Sequence, residues 1–376
     1  MQKTFKYRIK AGKTTLAKAG EVLELCRQLY NLCLEHRKNA WEKHQKSVSA
    51  RDQENQLPAF KKAFPEFKKV YSHALCDVVN RVDKAFQGFF RRVKNSEKPG
   101  YPRFKSFNRY DSFTLSSHNQ GGWKLEDNKL TLSKIGTFKI KLSRPIQGTI
   151  KTVTIQRTPT NKWFVAFSCD NVPTKPLPKT GKVIGIDVGC ESFLTDSDGR
   201  KVPNPRFLKK SQSCLEKRQQ RLSRRKKGSN GKKKARLLVA KTYEHISNQR
   251  KDFHFKVANQ LVKENDTICI EKLQSWNTDW KALNKSMRDV SWFNFFNILR
   301  FKAEEAEKEV IEVDPKGTSQ RCSACGNEVP KTLDVRIHNC PFCGLTLDRD
   351  INAAINILRL GMSLQSSLHS PAKTCS

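Results

Sequence analysis

The amino-acid sequence predicts a multidomain α/β protein with a small metal-bound ribbon in the last third of the chain. Three observations support this fold class. Two apolar, strand-like segments end in a carboxylate, at Asp187 and at Glu271. Two CxxC pairs enclose residues 326–339. Strand and helix periodicities alternate along 376 residues, a length that accommodates roughly two to three domains.

The cysteine pairs have the spacing of a structural zinc site. Four thiolates can hold a tetrahedral zinc ion at about 2.3 Å, and a closed four-thiolate shell leaves no open position for chemistry. The proposed ligands are Cys322, Cys325, Cys340 and Cys343. Gly326 and Gly344 follow the two pairs and allow the chain to turn around the metal. The remaining cysteines are scattered without a disulfide framework, which indicates a reducing compartment.

The first half of the chain is predicted to be a β-barrel that carries a helical insertion. Residues 3–9 alternate polar and apolar side chains like a half-buried strand, whereas 12–105 contains two helical stripes, at about 15–43 and 67–93. Short strand-like runs separated by turn signals then fill 106–178, which favours an antiparallel barrel. We expect the first strand, within 1–11, to join this barrel.

Charge indicates the class of partner. Lys and Arg outnumber Asp and Glu by 72 to 36, a net charge of +36 that suits a protein that neutralises many phosphates. Between Lys209 and Lys251 lie sixteen basic residues and two acidic ones, and the centre of this region, 224–234, is predicted to be a mobile loop between two helices. The chain has no run of about 18 apolar residues and no signal-peptide core. We therefore expect a cytoplasmic nucleic-acid-binding protein, associated with the nucleoid when bound to DNA.

Three carboxylates are the candidates for chemistry. A lone Asp after a strand is usually a turn residue, and Asp350, where a helix over 351–358 is predicted to begin, could simply cap that helix. Together, Asp187, Glu271 and Asp350 could instead hold two magnesium ions about 4 Å apart for phosphodiester cleavage. Hard oxygen ligands suit magnesium or manganese better than zinc.

The motifs resemble, in order and context, the TnpB (OrfB) family of insertion-sequence-encoded, RNA-guided DNA endonucleases, which are related to the ancestors of type V CRISPR effectors. The segments that carry the resemblance are 185–189, 270–273, 318–326, 340–344 and 348–357, with weaker support from 5–9 and 98–106. The resemblance covers nearly the whole chain to about Met362.

The resemblance implies a division into domains. A RuvC-like nuclease with an RNase H fold would occupy 179–317 and end in a final helix over 348–362, with the zinc ribbon inserted at 318–347. An oligonucleotide-binding-like wedge barrel, 1–11 and 106–178, would carry the recognition insertion 12–105. Residues 363–376 match nothing, and we expect them to be disordered.

The resemblance also implies sites and partners. Asp187, Glu271 and Asp350 would be catalytic and bind Mg²⁺ or Mn²⁺, whereas Asp348 would not be catalytic. A guide RNA from the transposon end and double-stranded target DNA would bind one copy of the protein. The expected nucleic-acid contacts are Tyr101, Arg103, Lys105, Arg224, Arg225, Lys226, Lys227, Lys232, Lys233 and Lys234.

Two other functions remain open at the level of sequence. A non-catalytic, repressor-like nucleic-acid-binding protein would use the ribbon and the charge for scaffolding, and its three acids need not converge. A strand-transferring transposase would also use carboxylates on an RNase H fold. Such enzymes generally end their acidic set with Glu, whereas the order here is Asp, Glu, Asp.

Overall fold

The computed structural model describes residues 1–116, 122–273, 289–332 and 335–369, with side chains up to residue 366. These residues fall into two compact units, Met1–Pro173 and Thr174–Ser376. Within the described part of the chain, no helix is long and apolar enough to cross a membrane.

The first unit is built on an antiparallel sheet with the strand order β2-β6-β7-β1-β5-β4-β3. Its strands are β1 (Lys3–Lys10), β2 (Ser112–Ser116), β3 (Trp123–Glu126), β4 (Lys129–Leu132), β5 (Gly136–Lys141), β6 (Thr149–Arg157) and β7 (Trp163–Asp170). The alternation in β1 buries Phe5, Tyr7 and Ile9. β1 lies between β5 and β7, so the start of the chain occupies the centre of the sheet.

The pairing among the described residues is that of an open sheet, because β2 and β3 stand at its two ends. The predicted strands between 112 and 167 each coincide with an observed strand. The turn signal at 121–122 lies partly outside the described residues. Closure of this sheet into an oligonucleotide-binding-like barrel therefore stays a proposal.

Helices fill the sequence between β1 and β2. They are α1 (Lys13–His44), α2 (Ala50–Ala63) and α3 (Ser72–Lys94), with short 3₁₀ helices at Pro65–Lys69 and Phe107–Arg109. Buried side chains of α1 and α3 share one apolar cluster with the strands. The sequence pattern missed α2, which begins with a capping box between Ser49 and Asp52 and contains Pro58.

The second unit is built on a mixed sheet with the order β10-β9-β8-β11-β12. Its strands are β8 (Val183–Asp187), β9 (Ser192–Asp196), β10 (Lys201–Pro203), β11 (Thr267–Glu271) and β12 (Glu309–Val313). Strands β8, β11 and β12 are parallel, and β9 and β10 extend the sheet in antiparallel fashion. The helices are α4 (Phe207–Ser223), α5 (Asn230–Glu264), α6 (Trp292–Ala306) and α7 (Arg349–His369). A short hairpin of β13 (Ile337–Asn339) and β14 (Thr346–Asp348) precedes α7.

Helices cover both faces of this sheet. Ile184, Ile186, Ile268 and Ile270 pack with α5 and α6, whereas Cys269 lies in a separate cluster with α7. Alternate residues of β8 and β11 therefore face opposite helices, as the pleat of a strand requires.

Two glycines allow α7 to approach the sheet closely. A Cβ added at Gly185 would lie 2.2 Å from the carbonyl oxygen of Ala354, on α7. A Cβ added at Gly361 of α7 would lie 2.2 Å from the sulfur of Cys269. Both distances are far below van der Waals contact, so α7 can lie this close to the sheet only because these positions lack side chains.

Two sequence predictions require correction. The loop predicted over 224–234 is shorter, because α5 begins at Asn230, where Ser229 accepts a hydrogen bond from the amide of Lys232. The disorder predicted from Ser363 is wrong for 363–369, because α7 continues to His369. Residues 370–376 lie outside the described part of the chain.

Candidate functional site

Three carboxylates meet at the C-terminal ends of β8 and β11. These strands run parallel with Ile186 opposite Ile270, so Asp187 and Glu271 are the next residues on neighbouring strands. By the alternation of the pleat they project on the face that α7 covers. Asp350 lies in the first turn of α7. The structure thus brings together the three acids that the sequence analysis singled out.

The electrostatics agree with this arrangement. Burial raises the pKa of Asp187 well above its usual range, and the negative charges of Glu271 and Asp350 raise it further. Arg349 acts in the opposite direction on this pKa. Burial also raises the pKa of Glu271, against a hydrogen bond from Thr318. Two acids with raised pKa values at the edge of a sheet are a pattern typical of functional sites.

The donor set suits divalent cations. Carboxylate oxygens are hard ligands of the kind that magnesium and manganese prefer. The sulfurs of the four cysteines all lie within 4.8 Å of one another, whereas the oxygens of these three acids, which all belong to described residues, are more widely spaced. Asp187, Glu271 and Asp350 are therefore the residues that would hold divalent cations at this edge of the sheet.

Helix α7 is capped by Asp348, so the carboxylate of Asp350 is not needed as the helix cap. Oδ1 of Asp348 accepts hydrogen bonds from the amides of Asp350, at 3.0 Å, and Ile351, at 3.3 Å. Its other oxygen pairs with Lys201 at 2.6 Å. The capping role that could have explained Asp350 therefore belongs to its neighbour. Arg349 lies beside Asp350, with Nε and Nη2 each 3.4 Å from Oδ1.

The sequence analysis missed the residues that surround Glu271. The hydroxyl of Thr318, which is 2% exposed, donates a hydrogen bond to Oε1 of Glu271. The backbone around Thr318 is in turn bound by Asn352 and Asn356, which are both buried and one helical turn apart on α7. Polar residues spaced by four inside an apolar helix were the available signal.

The four cysteines form a compact cluster. The sulfur pairs Cys322–Cys343 and Cys325–Cys340 are each 3.6 Å apart. Tetrahedral zinc with bonds of about 2.3 Å requires sulfur–sulfur distances of about 3.8 Å, so this arrangement fits zinc. Gly326 and Gly344 have φ angles of +78° and +76°, and their amides donate to the carbonyls of Cys322 and Cys340. The structure thus brings together the four cysteines that the sequence analysis proposed as zinc ligands, with a glycine turn after each pair.

Helices α4 and α5 form a hairpin with a basic tip. Arg218 joins the two helices through the hydroxyl of Thr242, at 2.6 Å, and the carbonyl of Leu238, at 3.3 Å. The tip carries seven of the predicted contact residues: Arg224, Arg225, Lys226, Lys227, Lys232, Lys233 and Lys234. Within the described residues, none of these side chains forms a salt bridge, and all but Lys232 are exposed. A concave notch of about 340 Å³ lies beside Arg224 and Arg225.

The aromatic-basic loop packs against α1. The backbone of Lys105 is bound by Asn31 and Arg27, and its ammonium lies 5.6 Å from the ring centre of Tyr30. Arg103 is exposed. A cleft of about 270 Å³ lies between this loop and α1, and its lining includes Leu34, Lys38, Trp41, Glu42, Tyr101, Pro102 and Phe104. Trp41, Tyr101 and Phe104 are 56%, 46% and 52% exposed. The sequence analysis identified Tyr101 and missed Trp41, which lies on the exposed side of α1.

Known proteins resemble this chain along its length. Residues 166–278 match a family described as "Probable transposase", residues 292–357 match "Cas12f1-like, TNB domain", and residues 1–46 match "Helix-turn-helix domain". In this structure residues 1–46 contain β1 and the single helix α1. A solved chain described as "Cryo-EM structure of the Cas12f1-sgRNA-target DNA complex" has a TM-score of 0.57 at 16% identity. The match covers 92% of this chain and 82% of that one, and it supports the fold.

Among curated proteins, a "Putative RNA-guided DNA endonuclease" of Streptomyces pristinaespiralis is 32% identical over 371 residues, which cover 96% of this chain and 90% of the relative. The "Putative RNA-guided DNA endonuclease InsQ" of Escherichia coli K12 is 27% identical over 378 residues, with coverages of 95% and 92%. "TnpB-like protein L79" of Acanthamoeba polyphaga mimivirus is 29% identical over 250 residues, with coverages of 61% and 48%. Similarity of this extent, together with the matched family regions, establishes that the chain belongs to the TnpB (OrfB) family.

Proposed function

We propose that the protein is an RNA-guided DNA endonuclease of an insertion sequence, which cleaves guide-matched DNA next to a short flanking motif. The convergence of Asp187, Glu271 and Asp350 on one sheet edge carries this proposal. It is supported by similarity over nearly the whole chain to a relative named as an RNA-guided DNA endonuclease. In such systems, base pairing with the guide RNA determines which DNA sequence is recognised. The protein binds the sugar-phosphate backbone of the RNA–DNA heteroduplex.

The proposed mechanism assigns the three acids to two divalent cations, most simply Mg²⁺. A pair of such ions, when bound, activates water and stabilises the leaving oxygen in phosphodiester hydrolysis. The charges of Glu271 and Asp350 both act on Asp187, so the three carboxylates would hold the ions together. Arg349 holds the carboxylate of Asp350 and partly balances the negative charge of the cluster.

We assign the mixed sheet to a RuvC-like RNase H fold and the sheet of the first unit to a wedge domain, with the helices α1–α3 as its recognition insertion. The resemblance of the motifs to the TnpB family supports these assignments. The four cysteines would bind a structural zinc ion, since their sulfurs are already close to the separation that zinc requires.

The basic hairpin tip is proposed to bind nucleic-acid backbone. Lys232 and Lys233 lie in the first turn of α5, where the helix dipole already places positive charge and where no acidic side chain offsets it, and Lys234 follows directly. Such a tip is electrostatically unfavourable in the free protein and favourable beside phosphates. The notch beside Arg224 and Arg225 offers two guanidinium groups, which suit phosphate geometry.

The cleft between α1 and the loop over 98–106 is proposed to receive an unpaired base. Exposed aromatic side chains supply stacking surfaces worth about 1–3 kcal/mol per base. Tyr101 is held from behind by edge-on contacts with Phe86 and Phe89, at 5.7 and 5.5 Å. Arg103 and Lys105 would supply charge for the adjoining phosphates. Gel shifts with Tyr101→Ala and Trp41→Ala should show weakened guide or target binding, whereas Tyr101→Phe should bind normally.

Cleavage of guide-matched DNA tests the proposed function. Asp187→Ala, Glu271→Gln and Asp350→Ala should each reduce magnesium-dependent plasmid cleavage by several orders of magnitude, because each removes a ligand that the ions need. Guide and target binding should remain near wild type in gel shifts, since binding depends on the basic surfaces. Asp348→Asn keeps an oxygen that can cap α7 and should cut more efficiently than these three variants.

Asp252→Ala is the matched control, because Asp252 is an exposed acid paired with Lys256. It should cut like wild type. Wild-type cleavage by the Asp187 or Glu271 variant would refute the nuclease site. Equal loss of binding and cleavage would show that the acids are structural, and guide-directed binding by a wild-type protein that never cuts would favour the repressor-like alternative.

A further inference from the structure

We propose that Thr318 is a positioning residue for Glu271, and that the attachment of the zinc ribbon to α7 sets how tightly the carboxylate site binds divalent cations. This inference deepens the proposed function and rests on its assignment of the metal ligands. It comes from a connected set of hydrogen bonds between the start of the ribbon, β11 and α7.

The first contact fixes the carboxylate. Thr318 is buried, and its hydroxyl lies within hydrogen-bonding distance of two acceptors, Oε1 of Glu271 and the carbonyl oxygen of Pro315 at 3.1 Å. The hydroxyl has a single hydrogen, and Glu271 is both the nearer acceptor and the one that carries charge. A hydrogen bond to an ionised acceptor is among the stronger ones in proteins. It orients Glu271 and favours the ionised form that a cation requires.

The second set of contacts fixes Thr318. Nδ2 of Asn356 donates to the carbonyl of Thr318, at 2.9 Å, and to that of Arg321, at 2.7 Å. Nδ2 of Asn352 also donates to the carbonyl of Arg321, at 2.8 Å, while its Oδ1 accepts from the amide of Ser323, at 2.8 Å. Asn352 is fully buried and Asn356 is 8% exposed. Two buried amides on one helix face thus bind the backbone that enters the ribbon.

These contacts link two metal ligands to the ribbon. Ser323 lies between Cys322 and Cys325, and Asn352 follows Asp350 by two residues on α7. The ribbon entry therefore contacts Glu271 through a side chain and contacts the helix of Asp350 through its backbone. Groups that orient metal ligands in this manner typically change metal affinity or activity by about 10- to 100-fold when they are removed.

A direct metal-binding measurement on the full-length, zinc-loaded and RNA-free protein tests this inference. Mn²⁺ binding is titrated by electron paramagnetic resonance, and the signal of Asp187→Asn defines binding outside the site. Thr318→Val keeps the shape of the side chain and removes the donor, so the Mn²⁺ concentration for half occupancy should rise by about tenfold or more. Thr318→Ser restores the donor and should return the affinity to near wild type.

The reconstituted complex provides a second measurement. The Mg²⁺ concentration for half-maximal cleavage should rise for Thr318→Val, and added Mg²⁺ should recover most of the rate, while gel shifts stay unchanged. Asn356→Ala removes the hydrogen bonds from α7 to the carbonyls of Thr318 and Arg321, and it should also weaken Mn²⁺ binding. Zinc content and melting temperature identify variants that have lost the fold. If Thr318→Val misfolds, Thr318→Ala replaces it.

Wild-type Mn²⁺ affinity in folded Thr318→Val would overturn the inference, as would an equal loss in Thr318→Ser. The outcome is separable from the proposed function. A wild-type complex that binds Mn²⁺ at this site but fails to cut guide-matched DNA contradicts the nuclease proposal, and the titrations still decide the role of Thr318.

Discussion

At the scale of single residues, the main feature is a cluster of like charges. Burial and the negative charges of Glu271 and Asp350 raise the pKa of Asp187, Arg349 opposes this effect, and burial raises the pKa of Glu271. Asp187 and Glu271 therefore destabilise the fold at neutral pH when no Mg²⁺ or Mn²⁺ is bound, since the unfolded chain ionises both acids freely. Divalent cations would reverse the effect by binding only to the folded protein.

Thermal melting without Mg²⁺ or Mn²⁺ should reveal this destabilisation. The pKa of Asp187 is raised in the folded state, so its contribution to stability is full below about pH 4, its unfolded pKa, and is lost as the pH rises through the folded value. Asp187→Asn should therefore melt above wild type at neutral pH in zinc-loaded protein from which Mg²⁺ and Mn²⁺ have been removed by dialysis. Each pKa unit is worth about 1.4 kcal/mol, or about 3–6 °C for a domain of this size.

The difference between wild type and Asp187→Asn should shrink as the pH falls towards 4. Added Mg²⁺ should raise the melting temperature of the wild type more than that of the variant. Asp252→Asn, at an exposed ion pair, serves as the control and should follow the wild-type profile. A variant that melts below wild type at every pH would show that Asp187 stabilises the fold.

At the scale of elements, the position of α7 depends on its contact with the sheet. Ala in place of Gly361 would collide with the side chain of Cys269, so Gly361→Ala should destabilise the protein by about 1–3 kcal/mol despite the better helix propensity of Ala. Gly20→Ala is the matched control, because Gly20 is in α1 and has open space at its Cβ position. That change should stabilise by up to about 1 kcal/mol. Urea denaturation compares the two, and stabilisation by both would refute the close contact of α7.

The ribbon is an element that its metal holds together. In the described part of 318–347, the named strands are β13 and most of β14, and such short strands bury little apolar surface, so zinc binding should supply most of the stability of the ribbon. Replacing Cys325 and Cys343 by serine should abolish zinc binding, measured by metal analysis, and should lower the melting temperature. Cys214→Ser, at an exposed free cysteine, should leave both quantities unchanged. Full zinc content in the double variant would contradict the assignment.

The sequence predicted those elements that are determined by residues close together in the chain. The apolar runs before Asp187 and Glu271, the cysteine spacing and the stripe of α1 each follow from neighbours in the chain. The sequence pattern did not predict helix α2, because Pro58 and many polar residues obscure the periodic spacing of its apolar residues. The bond from Thr318 to Glu271 spans 47 positions, and the cleft beside Trp41 joins α1 to a loop some sixty residues later. No periodicity records such pairs, because only the tertiary fold brings them together.

At the scale of the whole molecule, 72 basic residues face only 36 acidic ones, so a net charge of +36 must be balanced by groups outside the protein. If the hairpin tip binds phosphates, replacing Arg224, Arg225, Lys226 and Lys227 by glutamine should weaken binding to every sequence. The slope of log affinity against log salt should flatten by about 0.9 for each lost contact with duplex DNA. The matched control exchanges Arg for Lys and Lys for Arg at the same four positions and preserves charge. An unchanged slope in the glutamine variant would show that the tip is not a contact surface.

The position of the ribbon between β12 and α7 also orders events during synthesis. Asp187 and Glu271 are synthesised before the ribbon, and Asp350 follows the last zinc ligand, Cys343, by seven residues. The carboxylate set is therefore completed only after all four zinc ligands have been made. For the proposed nuclease, a nascent chain would be unable to cut DNA until α7 has been made and has docked on the sheet.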